Sequence, residues 1–331
     1  MIINKHILKL ENVYYVNNKF YVPESPHNNE YKKFIHNYEI NNDFNCQSTK
    51  VIDNILCFNT LHSCFSHALI DGIFPIYWCI KDINEDPKNI NLFVRKKSVM
   101  DYKLNNLSKI DSVRNRYKGV WNEITSLLSD KILFEHLIKQ DERIFIKKCY
   151  FYVIIDYWQR SPWNCMDYYR GRGVLKHNVD FKDDIINSNL VDFSQYVKKN
   201  LKLLHNKKEK LHAIIIDRKN DRKWEPEKLN KIVHILLEDN NVQYNGVHIL
   251  ENMNLYQQIK LFVENNVFIF RHGSCITHLI WIPNNSIIFD IDTDLNERKN
   301  VVRRLATISD SKTIQLNYND IDYSQFKFDK L

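Results

Sequence analysis

Between residues 210 and 292 the chain alternates short apolar runs with amphipathic stretches, and this alternation constrains the fold more than any other feature. LHAIIID (211–217) is a run fit for a buried strand. Beyond a polar segment, Pro226 opens a helical pattern with Leu229, Ile232, Val233, Leu236 and Leu237 on one side. VHIL (247–250) reads as a second strand, and Asn254 is placed to cap a helix carrying Leu255, Ile259, Phe262 and Val263. VFIF (267–270) is a third strand. RHGSCITHLIWI follows as loop and helix, stopped by Pro283, and SIIFDI (286–291) is a fourth strand. The order β-α-β-α-β-α-β at this spacing predicts a parallel sheet with helices on both faces. Such sheets bind ligands at the carboxyl ends of their strands.

The first half also reads as α/β. Strands are expected at 51–58, 90–94 and 143–156, and helices at 67–80 and 121–129. A helical pattern surrounds Phe193, Tyr196, Val197 and Leu201, but residues 157–205 are less regular and read as a link between two halves. The first 50 and last 35 residues carry no interpretable motif. Two α/β domains, 1–190 and 191–331, are expected, with a cleft between them. The 331 residues, 44% of them apolar, suffice for cores of that size.

Other classes fall away on simple grounds. No run of about 18 apolar residues occurs, so no transmembrane helix is expected. The opening MIINKHILKLENVYYV is interrupted by Lys5, Lys9 and Glu11 and lacks a small-residue cleavage site, so a cytoplasmic location is expected (a host cytoplasm if the source is viral). Seven cysteines without a C-x-x-C argue against a disulfide scaffold or a structural zinc site. Asn, Ile, Lys, Tyr and Phe abound, whereas Ala occurs only at 68, 213 and 306. That usage is the coding bias of an AT-rich genome, such as that of a large DNA virus or a protist. The net charge of +7 is therefore read as a Lys-rich proteome, not a nucleic-acid footprint.

Three segments carry chemistry. In VFIFRHGSCITHLIWIP a strand runs into His272-Gly273-Ser274 and a helix start with Thr277, which suits a phosphate or pyrophosphate. Arg218-Lys219-Asn220-Asp221-Arg222 follows the first strand of the same sheet, so it opens on the same edge. Its two guanidiniums are suited to clamp a diphosphate. His67 and Asp71 are four apart, share a helix face and are followed by Pro75; either suits a general base.

Together these segments resemble the glycosyltransferases of family 61, whose members transfer sugars such as GlcNAc, xylose or arabinose from a nucleotide. His67, Asp71 and Pro75 match a His-x-x-x-Asp…Pro element. Arg218, Lys219 and Arg222 match an Arg-Lys-x-x-Arg loop. Glu251, Gln258 and Leu261-Phe262 match the segment after it. His272, Gly273, Thr277 and Pro283 match an HGAGLTN-like turn. The chain departs from the pattern at Ser274-Cys275, at His278 and at Asp217. The resemblance implies a GT-B arrangement of two Rossmann-like domains, with residues 1–190 on the acceptor side and 191–331 holding a nucleotide sugar, UDP-linked by expectation. It implies inverting transfer to a glycan or glycoprotein without a metal or other cofactor. Asp71 is then the expected base with His67 as its partner. Arg218, Arg222, His272, Gly273, Ser274 and Thr277 hold the diphosphate, and Glu251 the ribose or base.

Aromatics Tyr157, Trp158 and Trp163 suit a stacked sugar, although core packing explains them as well. Asp290 and Asp292, in FDIDTD, evoke a metal-binding D-x-D or a phosphatase nucleophile. Too little chain follows for the phosphatase, and both are read as structural. An inactive glycan-binding relative and a basic nucleic-acid-binding protein are the remaining alternatives; no nucleic-acid partner is expected.

Overall fold

The apolar runs of the second half fold as a five-stranded, wholly parallel sheet. Its strands are β9 (Leu211–Asp217), β10 (Val242–Ile249), β11 (Val267–Arg271), β12 (Ile287–Asp292) and β13 (Lys312–Asn317), in the spatial order β10-β9-β11-β12-β13. The computed structural model describes residues 2–4, 7–24, 31, 35, 38–42, 44, 47–59, 68–95, 123–152, 184–203, 210–219, 222–292 and 299–328. The chain divides into two compact units, Met1–Asn164 and Cys165–Leu331.

In the second unit both faces of the sheet are covered, which is why its strands read as continuous apolar runs. Ala213, Ile215, Val267, Ile269, Ile287, Phe289 and Ile291 form one core with Ile232 and Leu236 of the helix Pro226–Glu238 and with Phe326 and Phe328. On the other face, Phe262 of the helix Leu255–Val263 stacks on Phe268 at 5.2 Å. That helix begins as its sequence predicts. Asn254 accepts from the Gln257 N–H, and the Gln257 side chain accepts from the Asn254 N–H, a reciprocal capping box. The helix Asp184–Asn200 lies in this unit and is not a linker. Phe193 packs 5.6 Å from the Trp281 ring, and the Ser194 hydroxyl donates to the Ile280 carbonyl at 2.6 Å. Its exposed polar positions made it look like a connection, yet Leu190, Phe193 and Val197 are fully buried. Beyond β12, the helix Lys299–Thr307 and edge strand β13 complete the layer.

The spatial order decides where a ligand sits. The chain runs from β9 to β10 on one side, then crosses back to β11 on the other. The strand order therefore reverses between β9 and β11, and in doubly wound sheets the binding crevice opens at the carboxyl ends of such a pair.

The first unit is also α/β, but its sheet is mixed, with the order β4-β3-β2-β8-β5-β6-β7 and β1 paired to β2. Strands β5 (Lys50–Asn59), β6 (Asn91–Arg95), β7 (Ile132–Phe134) and β8 (Arg143–Tyr152) are parallel. The first residues add β1 (Ile2–Asn4), β2 (Ile7–Val16), β3 (Lys19–Val22) and β4 (Tyr38–Ile40); β2 pairs antiparallel with β8, β3 and β1. The alternation slips by one residue in three neighbouring strands at once. Leu8 and Leu10 give way to Val13 and Tyr15, Ile144 and Ile146 to Cys149 and Phe151, and Ile52 to Ile55 and Cys57, all in one core. Asn12 adopts a left-handed φ of 56° at the slip, and Lys147 pairs with Asp53 at 2.7 Å there. Between β5 and β6, one π turn, Ala68–Ile73, leads into the helix Phe74–Asp82, whose Pro75 occupies the first turn. Among the described residues no helix is long and apolar enough to cross a membrane.

Candidate active site

Strand β9 ends in Asp217, whose buried carboxylate accepts from the Arg218 N–H at 2.8 Å and the Trp224 N–H at 2.9 Å. One oxygen thus ties both ends of the 218–224 loop. This accounts for the acid at a position where the family pattern differs. The Trp224 indole donates to the Ile216 carbonyl at 3.0 Å and its ring lies 5.7 Å from that of Tyr318. Tyr318 is itself held between the Arg271 guanidinium, 3.6 Å from the ring centre, and the Lys228 ammonium, 4.1 Å away. Its hydroxyl accepts from the Glu225 N–H at 2.9 Å. Loop 218–224 is therefore anchored to the sheet edge by buried aromatic and cation–π contacts.

The loop turns its arginines toward the end of β11. Arg222, with a left-handed φ of 60°, donates from Nη1 to the His272 carbonyl at 2.6 Å. Arg218 Nη1 lies 2.8 Å from where a Cβ would stand on Gly273, and Arg222 Nη1 3.8 Å from it. Both guanidiniums converge on a residue without a side chain. The Arg218 guanidinium pairs with Glu251, at 4.0 Å and half exposed, a weak counter-charge. Glu251 sits in a single 3-10 turn, Leu250–Asn252, closed by the Gln258 amide, which donates to the carbonyls of Leu250 and Met253.

After Gly273 the chain enters a 3-10 helix, Ser274–Trp281, instead of an α-helix. Every residue from Cys275 to Trp281 is buried, so the tighter, narrower winding fits a segment that is packed on all sides. The N–H groups of Gly273, Ser274 and Cys275 have no hydrogen-bond partner among the described residues, whereas that of Ile276 returns to the Gly273 carbonyl at 3.2 Å. Ser274 is exposed. Thr277 is fully buried, and its hydroxyl donates to the Ser274 carbonyl at 2.8 Å, holding the turn from within. The Cys275 thiol is buried, 3.9 Å from the Arg271 carbonyl, and burial pushes its pKa up to about 12. His278 stacks on Phe262 at 5.0 Å, and burial lowers its pKa to about 3, so it is neutral.

His272 N–H donates to the Ile291 carbonyl at 3.0 Å, which continues the β11–β12 ladder. Its ring faces Asp290, with Nδ1 3.1 Å from Oδ1 and 3.3 Å from Oδ2. Both side chains are buried. Asp292, two residues on along β12, is buried as well. Among the described residues no cluster of three or more His, Cys, Asp or Glu side chains is arranged to hold a metal.

The structure thus brings together Arg218, Arg222, Glu251, His272, Gly273 and Ser274 at one edge of one sheet. Asp71 falls in the π turn, at the amino end of the helix that follows β5; only its backbone is described. His67, Tyr157, Trp158 and Trp163 lie outside the described residues. Sequence reasoning missed the supporting residues Asp217, Trp224, Arg271 and Tyr318, and it gave Asp290 no contact with the site. The available signal for Asp290 was a charge inside an apolar run, since a strand buried on both faces admits a carboxylate only with a partner.

No curated protein matches the chain. The family model for Glycosyltransferase 61 matches residues 65–289, which is 225 of 331 residues and includes every residue expected to act on the donor or acceptor. The chain therefore belongs to glycosyltransferase family 61 and is a glycosyltransferase.

Proposed function

We propose that the enzyme transfers a sugar from a nucleotide-diphosphate donor, with UDP as the nucleotide, to a hydroxyl of a glycan or glycoprotein, inverting the anomeric centre and using no metal. The observation that carries this reading is the convergence of Arg218 and Arg222 on Gly273, beside the N–H groups of Gly273 and Ser274, which have no hydrogen-bond partner among the described residues, at the reversal of strand order. Two guanidiniums with little counter-charge are matched to an anion that brings its own. Gly273 leaves room for phosphate oxygens to reach the backbone.

In this reading the acceptor oxygen forms a bond to the anomeric carbon as the bond from that carbon to the diphosphate oxygen breaks. The acceptor proton goes to Asp71, with His67 as its partner. The negative charge left on the diphosphate is stabilised by Arg218, Arg222, His272 and the N–H groups at Ser274, already oriented before reaction. Thr277 supports the turn from beneath, and Glu251 contacts the ribose or base. A GT-B organisation and a cytoplasmic location are parts of the same proposal. The π turn supports the choice of Asp71, since such turns recur at functional sites.

A thermal-shift screen of nucleotides and nucleotide sugars tests the reading. UDP or a UDP-sugar stabilises the protein, and Arg218→Ala or His272→Ala abolishes the shift. No shift with any nucleotide overturns the reading. Asp71→Asn is expected to keep donor binding and lose transfer; retained turnover would remove Asp71 as the base.

A further inference from the structure

We infer that Asp290 is a positioning residue for donor binding, acting through His272. The inference rests on the reading of His272 as a diphosphate contact. Asp290 stands one residue past the segment matched to the family, on a central strand of the sheet. Its in-register neighbour on β11 is Phe270, fully buried, and Asp290 itself is 3% exposed. A carboxylate there costs several kcal/mol of desolvation unless it is paired, and an apolar residue would serve the core better. It is paired with His272, two residues beyond Phe270 and therefore on the same face of the sheet.

The geometry gives the pair a direction. Both carboxylate oxygens lie within 3.3 Å of Nδ1, so Nδ1–H donates to Asp290 and the ring plane is fixed. No hydrogen bond reaches Nε2 among the described residues, which leaves it for a ligand at the crevice. A phosphate oxygen at Nε2 would place the ring between two anions. Arg222, bound to the His272 carbonyl, ties the same residue to the other loop. Asp290 therefore sets where Nε2 points and supplies one of the two anions that flank the ring.

UDP and uridine are titrated separately into the wild type, His272→Ala, Asp290→Asn, Asp290→Leu and the double variant His272→Ala/Asp290→Asn. Thermal stability is recorded for each. The ratio of the two dissociation constants reads the diphosphate contribution alone, which a purely structural role for Asp290 would not move. The ratio is expected to fall about tenfold in His272→Ala, the worth of one charge-assisted hydrogen bond. It should fall comparably in Asp290→Asn and Asp290→Leu, and no further in the double variant. A fall in His272→Ala with an unchanged ratio in both Asp290 variants overturns the inference and leaves the proposed donor site standing. An unchanged ratio in His272→Ala overturns the role of His272 in that site and this inference with it.

Discussion

Replacing Gly273 by alanine separates the site from the fold. A Cβ at this position would stand 2.8 Å from Arg218 Nη1, against an ordinary contact of 3.4 Å or more. The guanidinium must therefore retreat by about 0.6 Å, the difference between those distances. A hydrogen bond of about 2.9 Å from that nitrogen to a phosphate oxygen would stretch to about 3.5 Å, beyond useful range. Losing one charge-assisted bond costs about 1.5–3 kcal/mol, so UDP affinity should fall roughly tenfold to a hundredfold. The backbone gives no reason for unfolding, because φ is 174° and ψ −163°, extended values open to any residue. Alanine also restricts the unfolded chain, worth about 0.4–1 kcal/mol in favour of the native state. Calorimetric titration of UDP alongside thermal denaturation reads both effects. Weakened binding at an unchanged or slightly higher Tm is expected. Full affinity would refute the placement of Arg218 on the ligand, and a drop in Tm would refute the claim that Gly273 serves the site alone.

Three further variants follow. Asp217→Ala removes the acceptor of two loop N–H groups and should cost about 2–4 kcal/mol, seen as a Tm lower by several degrees, together with weaker UDP binding. Asp217→Asn keeps an acceptor oxygen and should cost less than half as much; equal losses in the two variants would show that the oxygen is not what holds the loop. His278 is neutral in the folded state with its pKa lowered to about 3, whereas the unfolded chain binds a proton near pH 6.5. Its contribution to stability is thus complete above about pH 6.5 and is lost as pH falls toward 3, at roughly 1.4 kcal/mol per pH unit. Denaturant titrations across that window should show a shallower slope in His278→Asn, and an unchanged slope would assign the acid sensitivity to other groups.

The second unit was legible because its strands are buried on both faces and its helices carry readable starts, as at Pro226 and Asn254. Placement of Arg218, Arg222 and His272 on one edge followed from topology alone. The 274–281 helix was legible as helical but not as 3-10, since a segment apolar all round has no polar face to reveal its period. Strands β5 and β8 were expected at 51–58 and 143–156, whereas the strands before residue 50 were not legible. In β2 the alternation breaks at Asn12, and the break makes sense only beside the matching slips at Asp53 and Lys147 in its neighbours. Edge strand β13 mixes exposed and half-buried positions and shows no apolar run. Asp290 was read as structural, and its contact with His272 was not legible because the two lie 18 residues apart on different strands. Asp217 stood out only as a departure from a pattern, because two backbone N–H groups leave no mark in a sequence.

Hydrogen exchange measured with and without UDP tests the location of the donor site most directly. The account predicts slowed exchange in segments 217–224 and 271–278, where the arginine loop and the free N–H groups meet, and no change in 143–152 on the first unit. Protection confined to other segments, or none at saturating UDP, would contradict it.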